Sequence, residues 1–354
     1  QKQTRDKTPI YRLPLAVDLY VNGGVQKETI LVSERYNSFS FDVSQKPDLV
    51  NVDAEKMLLC EKNDKKSTQE WSFQYYNAPL YLDRFEAVVA LGKKARKDSL
   101  AASVVLSALN DSFWKVRSIA IGNLEAIIGL YETQIKIDLI ALASSDVNST
   151  VRAKAIIMLA EEFKGDDLKA LFIKGTKDSS YLVLEESLTA LAAIDKTLGL
   201  EYCASFEGEK YDGVIETICY IYSSYGDDSH NDFFISSAKR IKGYTRISFI
   251  NDYEYYLTKN RSLSVVNQGI EVIKEIGINA GNEYVSRFAK QSLENLNNEY
   301  KRRQHELNKK ISNISSGENI SAEDAQIMRT EEEQLKETIS KISLAYDDVM
   351  KHLK

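Results

Sequence analysis

Residues 111–124 read DSFWKVRSIAIGNL, and residues 146–159 read DVNSTVRAKAIIML. In both stretches an Asp is followed by an Arg, then an Ala, then a Leu at the same spacing: Asp111, Arg117, Ala120 and Leu124, then Asp146, Arg152, Ala155 and Leu159. The pattern extends in both directions. Aligning Arg84, Arg117, Arg152 and Leu184 places the small residues Ala87, Ala120, Ala155 and Ser187 three positions later. Seven positions after the same anchors stand Leu91, Leu124, Leu159 and Leu191. The anchors are 33, 35 and 32 residues apart, and Asp111, Asp146 and Asp178 each precede one by six. Self-similarity at this period marks a helical-hairpin repeat.

The spacing has a physical sense. An Asp at the turn is expected to cap the second helix of the hairpin, accepting N–H bonds where the helix dipole is positive. The small residue lets the neighbouring helix approach closely, and the Leu one turn on fills the seam. Such a unit cannot bury both faces alone, so the units are expected to stack into a superhelix. The unit at Leu184 lacks the Arg and is degenerate; DGVIETICYIY (212–222) and SVVNQGIEVIKEI (264–276) read as later hairpins with drifted sequence.

Before the repeats the pattern changes. All four prolines, Pro9, Pro14, Pro47 and Pro79, fall in the first 79 residues, and a long proline-free tract suits uninterrupted helices. In LPLAVDLYV, Leu13, Leu15, Val17, Leu19 and Val21 alternate with Pro14, Ala16, Asp18 and Tyr20, the period of a half-buried strand. Asn22-Gly23-Gly24 supplies positive-φ turn residues, and VQKETILV reads as the return strand. SFSFDV (38–43) alternates again through Phe39, Phe41 and Val43, and after a turn at QKPD a last strand is expected in LVNVD. These strands predict a small antiparallel β-sandwich over residues 1–62. Helices begin at STQEW, where Ser67 and Glu70 form a capping box.

The tail differs again. Residues 292–314 and 321–353 read as two long helices around a turn at SSGEN. In the second, Met328, Leu335, Ile339, Ile342, Tyr346, Val349 and Leu353 follow heptad-like spacing. This predicts an antiparallel hairpin, 299–354, closing a helical-repeat region at 63–298; a dimerising coiled coil is the alternative. The expected fold is thus mainly α with a small β domain: sandwich, solenoid, helical hairpin.

Composition is that of a soluble globular protein, with 43% hydrophobic and 28% charged residues. The longest apolar stretches, such as AIIML (155–159), fall far short of the roughly 20 residues of a membrane span. The opening QKQTRDKTP has no apolar core of a signal peptide, and a chain that starts on Gln1 rather than Met reads as part of a longer polypeptide. A net charge of −6 argues against a nucleic-acid partner. The most basic stretch, EYKRRQHELNKK (299–310), is interleaved with acids and reads as a solvated helix face. Cys60, Cys203 and Cys219 form no paired spacing and, among apolar neighbours, read as small core residues.

Signatures of catalysis are missing. The three histidines, His230, His305 and His352, include no pair four apart; HELNK (305–309) begins like a zinc helix but has Lys309 at the second ligand position. His230 stands among Asp227, Asp228 and Asp232, a set that reads either as a metal site or as a polar solvent loop. No nucleophile elbow, phosphate-binding glycine loop or kinase signature occurs, so no catalytic, cofactor-binding or metal residue is assigned. The surplus is tyrosine, 20 residues, concentrated in CYIYSSY (219–225) and DYEYYL (252–257). Such rings can line a peptide-binding face or straddle the core.

Taken together, YRLPLAVDLYV, FSFDV and KPDLVNVDAEKMLL, followed by STQEWSFQYYNAPLYLDRFEAVVAL and the helical repeats, resemble the C-terminal half of bacterial aminopeptidase N-like zinc metallopeptidases. The similarity is clearest over residues 10–125. The repeats resemble HEAT repeats, whose turn Asp and second-helix Val-Arg match Asp111 with Val116-Arg117 and Asp146 with Val151-Arg152. The resemblance implies a non-catalytic region that packs over the cleft of a catalytic domain in the same polypeptide. That domain would hold the zinc and the H-E-x-x-H helix, hydrolysing peptide bonds from the N-terminus, with peptide substrate reaching the cavity wall. It also implies a soluble bacterial protein, cytoplasmic or periplasmic. The alternative is a free-standing HEAT-type scaffold that binds a protein partner along its concave face.

Overall fold

The computed structural model describes residues 1–3, 7–163, 165–259, 261–315 and 321–353. The protein is mainly helical with one small antiparallel sheet among the described residues, and it divides into two compact units, Gln1–Lys164 and Gly165–Lys354.

In the first unit, strands β1 (Leu13–Val21), β2 (Gly24–Val32) and β3 (Leu49–Val52) form the sheet, in the order β2-β1-β3. Asn22 and Gly23 take positive φ at the β1–β2 turn, so Leu13 pairs with Val32 and Val21 with Gly24 in unbroken register. Leu15, Val17 and Leu19 turn one face of β1 inward, where burial of each stabilises by about 1.5–3 kcal/mol.

Two strand expectations need correction. SFSFDV forms no strand, and Phe39 and Val43 remain exposed. Alternation makes a segment strand-competent, but a strand also needs a ladder partner and a surface that buries one of its faces. The outer edge of β2 is open, but among the described residues it meets this segment through a side chain, Gln26 Nε2 lying 3.5 Å from the Asp42 carbonyl, and no ladder forms. Among the described residues there is one sheet rather than a sandwich, and it packs on helices: Tyr20 meets Phe73 edge-on with ring centroids 5.6 Å apart.

The helices of the first unit are α1 (Thr68–Asn77), α2 (Tyr81–Gly92), α3 (Ser99–Ser107), α4 (Trp114–Ile121), α5 (Ile128–Ser145, kinked at Tyr131) and α6 (Ser149–Glu162). The Ser67–Glu70 capping box starts α1 as expected, and Pro79 separates α1 from α2. The second helices α2, α4 and α6 pack in succession. Ala87, Ala120, Ala155, Leu91, Leu124 and Leu159 are all fully buried, so the aligned positions share one structural role.

The second unit contains α7 (Lys169–Gly175), α8 (Tyr181–Ile194), α9 (Lys196–Ser205), α10 (Asp212–Tyr225), α11 (Asn231–Ala238), α12 (Thr245–Leu257), α13 (Leu263–Ile278), α14 (Glu283–Ser315) and α15 (Ala322–His352). Here α8, α10, α12 and α14 pack in succession. Ser187 and Leu191 on α8 are buried like their counterparts in the first unit. A Cβ added to Gly199 on α9 would fall 2.4 Å from the Ala192 Cα, so glycine there permits a close helix approach. The tail helices pack on each other and on α13, with Leu335, Ile342 and Val349 in the core of the unit. The expected turn at SSGEN lies, apart from Ser315, outside the described residues.

Candidate functional site

The repeated Asp and Arg form one arrangement. Arg117 on α4 donates from Nε and Nη2 to the two carboxylate oxygens of Asp146, both at 2.6 Å. Its Nη1 donates to the Asp111 carbonyl at 2.8 Å. Arg84 on α2 grips Asp111 in the same way, at 2.7 and 3.1 Å, and Arg152 Nη1 donates to the Asp146 carbonyl at 2.7 Å. Arg84 and Arg117 therefore each hold the backbone before their own helix and the carboxylate of the following repeat. The planar guanidinium fork suits this double duty.

The expected capping role of the Asp is corrected by this geometry. Asp111 accepts the N–H of Phe113, Asp146 that of Asn148 and Asp178 that of Ser180, each at 2.8 Å. Those N–H donors belong to the N-cap residues of α4, α6 and α8, so the Asp shapes the turn before the helix rather than capping its first turn.

A second buried network, without a signal in the sequence, ties β3 to the first helices. Lys56, in a left-handed backbone conformation, places Nζ 2.7 Å from Asp83 and 3.0 Å from Glu86. Asn51 donates to the Asp83 carboxylate at 2.9 Å, and Gln74 to the Asp83 carbonyl at 2.9 Å. Burial works against the ammonium, but the bonds to Asp83 and Glu86 outweigh it and hold Lys56 above its ordinary value. Lys62 adds a second contact to Glu86 at 3.0 Å.

The acidic loop around His230 serves structure. His230 Nδ1 is 3.1 Å from the Asp227 N–H, which it caps, and its ring meets Tyr222 edge-on. Asp228 accepts the Ser262 N–H at 3.1 Å, and the Asp227 carbonyl accepts Tyr256 Oη at 2.6 Å. His305 is exposed on α14, and His352 Nδ1 is 3.0 Å from the Asp348 carbonyl. Among the described residues, no group of three or more His, Cys, Asp or Glu side chains gathers to hold a metal ion.

The tyrosine clusters are divided. Tyr222, Tyr253, Tyr256 and Tyr300 are fully buried in the core of the second unit. Their hydroxyls are all satisfied, on Glu207, Asn231, the Asp227 carbonyl and the Leu257 carbonyl. Tyr220 and Tyr255 are about half exposed. Of the cysteines, Cys203 and Cys219 are buried, and burial pushes the Cys203 thiol up to about 12. Cys60 is exposed, contrary to the core reading, and borders a cleft of about 1200 Å³ with Leu13, Leu15, Val32 and Leu58. Its apolar sequence neighbours Met57 and Leu59 are exposed with it. In the basic stretch, Arg302 and Arg303 pair with Glu299 on their own helix at 2.7 and 2.8 Å. No helix among the described residues is long and apolar enough to cross a membrane.

No family model matches this sequence, and no curated protein matches it. Among solved structures, the chain is similar to the complex of CpcE and CpcF of phycocyanin lyase from Nostoc sp. PCC7120. The identity is 17%, the match covers 79% of this chain and 98% of that chain, and the TM-score is 0.42. It is also similar to Legionella pneumophila aminopeptidase A in complex with aspartic acid, at 13% identity and a TM-score of 0.45. That match covers 94% of this chain and 46% of the aminopeptidase chain. Both are distant likenesses.

Proposed function

We propose that this chain is the non-catalytic region of a zinc aminopeptidase-like polypeptide, in which HEAT-like helical repeats wall and cap the substrate cavity of a catalytic domain. The observation that carries this reading is the buried Lys56–Asp83–Glu86 network, which locks the sheet onto α1 and α2. A repeat scaffold that only displays a binding face has no need of a rigidly attached sheet. A spacer that sets the distance between a catalytic domain and a wall does. The sequence resemblance over residues 10–125 spans this junction and supports the same reading. A wall acts through shape, and the Arg–Asp ladder supplies rigidity by fixing successive second helices in register.

The test compares the intact parent polypeptide with a form lacking residues 80–354. Zinc content is expected to stay the same while the rates on short and long peptides change relative to one another. Unchanged length selectivity in a well-folded truncation would overturn the proposal and favour a scaffold that serves a separate protein partner.

A further inference from the structure

Between α11, the start of α12 and α13 lies a cavity of about 530 Å³, within the size range of small-molecule sites. Two of its walls are aliphatic, Ile235 and Ala238 on α11 and Val272 and Ile276 on α13. Lys239 and Arg246 bring positive charge to it, from the end of α11 and the first turn of α12. Glu271 and Glu275 bring negative charge from α13, where a spacing of four puts both on one helix face.

These charges are held in place without being consumed. Arg246 donates from Nε to the Ile241 carbonyl at 3.3 Å and from Nη1 to the Asn279 carbonyl at 3.2 Å. Both acceptors are uncharged, so the bonds fix the guanidinium without neutralising it, and Nη2 makes no hydrogen bond among the described residues. Glu271 is taken by Lys274. Lys239 and Glu275 form no side-chain hydrogen bond or ion pair among the described residues. On α14, by contrast, Arg and Glu that share a helix face close on each other, Arg287 with Glu283 and Arg302 with Glu299 and Glu306. Arg246 and Glu275 line one cavity and do not pair, so room remains between opposite charges for a group that meets both.

That combination sets the chemistry of the ligand. A carboxylate suits Arg246, whose planar fork matches its two oxygens, with Lys239 as a further donor. An ammonium suits Glu275. The two aliphatic walls stand on different helices, and each can cover one apolar side chain. A free amino acid carries both charges on one carbon and has a single side chain. A dipeptide separates its charges by a further residue, about 3.3–3.6 Å of extended chain, and has two.

We propose that this cavity binds a dipeptide with free termini and aliphatic side chains, its carboxylate on Arg246 and Lys239 and its ammonium on Glu275. The site belongs to the second unit alone, and its recognition does not depend on whether the parent polypeptide is a peptidase.

The experiment is a ligand-observed NMR titration of the full chain with Ala-Leu. For a ligand of about 14 non-hydrogen atoms in an open cavity, the expected Kd is about 1 mM or tighter. N-acetyl-Ala-Leu lacks the ammonium and Ala-Leu amide lacks the carboxylate; each is expected to bind about fivefold more weakly, the upper value for an exposed ion pair. Glu275→Gln is expected to weaken Ala-Leu by a similar factor and to leave N-acetyl-Ala-Leu unchanged. Lys239→Gln is expected to weaken Ala-Leu and to leave the amide unchanged. Both side chains are exposed, so the variants keep the fold, as circular dichroism will report. Failure to saturate by about 10 mM would overturn the proposal, as would equal binding of free and blocked peptides. Leucine binding as tightly as Ala-Leu, or E275Q weakening the acetylated peptide as much as the free one, would overturn it equally.

Discussion

Replacing Arg117 by Met tests the ladder where it is most enclosed. The Arg117 and Asp146 side chains are only 10% and 3% exposed. Met keeps most of the apolar stem and removes the fork, so Asp146 loses two charge-assisted bonds and the Asp111 carbonyl loses its side-chain donor. Asp146 keeps the Asn148 N–H, which leaves it with one acceptor bond and no cation from Arg117. Stranding a buried charge costs about 3–5 kcal/mol, and the remaining bond argues for the lower end. Both tryptophans of the chain, Trp71 and Trp114, lie in the first unit, so their fluorescence follows that unit during urea unfolding. With a slope of about 1.5–3 kcal/mol per molar urea, the midpoint is expected to fall by about 1–2 M. Adding Asp146→Asn removes the stranded charge, so the double variant is expected to regain about 2 kcal/mol over R117M alone. A loss below about 1 kcal/mol in R117M, the value of an ordinary surface pair, would refute the reasoning. Strictly additive losses in the double variant would refute it equally.

Ala155→Leu forces added volume into a fully buried contact and is expected to destabilise the first unit by about 1–3 kcal/mol, read from the same urea curves. Burial, reinforced by Glu216, pushes the Asp252 carboxyl up from 3.8 to about 7. The folded form then holds a proton that the unfolded form has released, so this group lowers stability as pH rises through that interval and levels off above it. Urea unfolding followed by circular dichroism is expected to show a smaller loss between pH 5 and pH 8 in Asp252→Asn than in the parent chain; identical slopes would contradict the assignment. A thiol reagent applied under native conditions is expected to label Cys60 alone, with Cys203 and Cys219 reacting only in denaturant, as peptide mapping will determine.

The repeat was legible because its determinants are local in sequence: a small residue and a Leu recur at helical spacing, and burial follows from that spacing at Ala87, Ala120, Ala155 and Ser187 alike. The capping box at Ser67 and the Asn22-Gly23 turn were legible for the same reason. What failed depended on partners distant in the chain. SFSFDV carries the right period, but only the folded neighbourhood decides whether an edge is free to pair with it. Cys60 has apolar sequence neighbours, yet no element covers that stretch. The Lys56–Asp83 contact joins residues far apart, and nothing in either local window announces it.

The same distinction separates the two kinds of buried charge in this protein. The turn Asp residues looked like caps because the sequence shows each beside its own helix, whereas its strongest bonds come from an Arg 27 or 29 residues earlier. Once that donor is placed, Asp111 and Asp146 become internal struts whose charge is consumed within the fold. Glu185, Glu216 and Asp252 also stand one on each of three successive helices, but among the described residues no ion pair reaches them. A row of acids that the fold itself does not neutralise adds no stability, as the pH dependence expected of Asp252 would show directly.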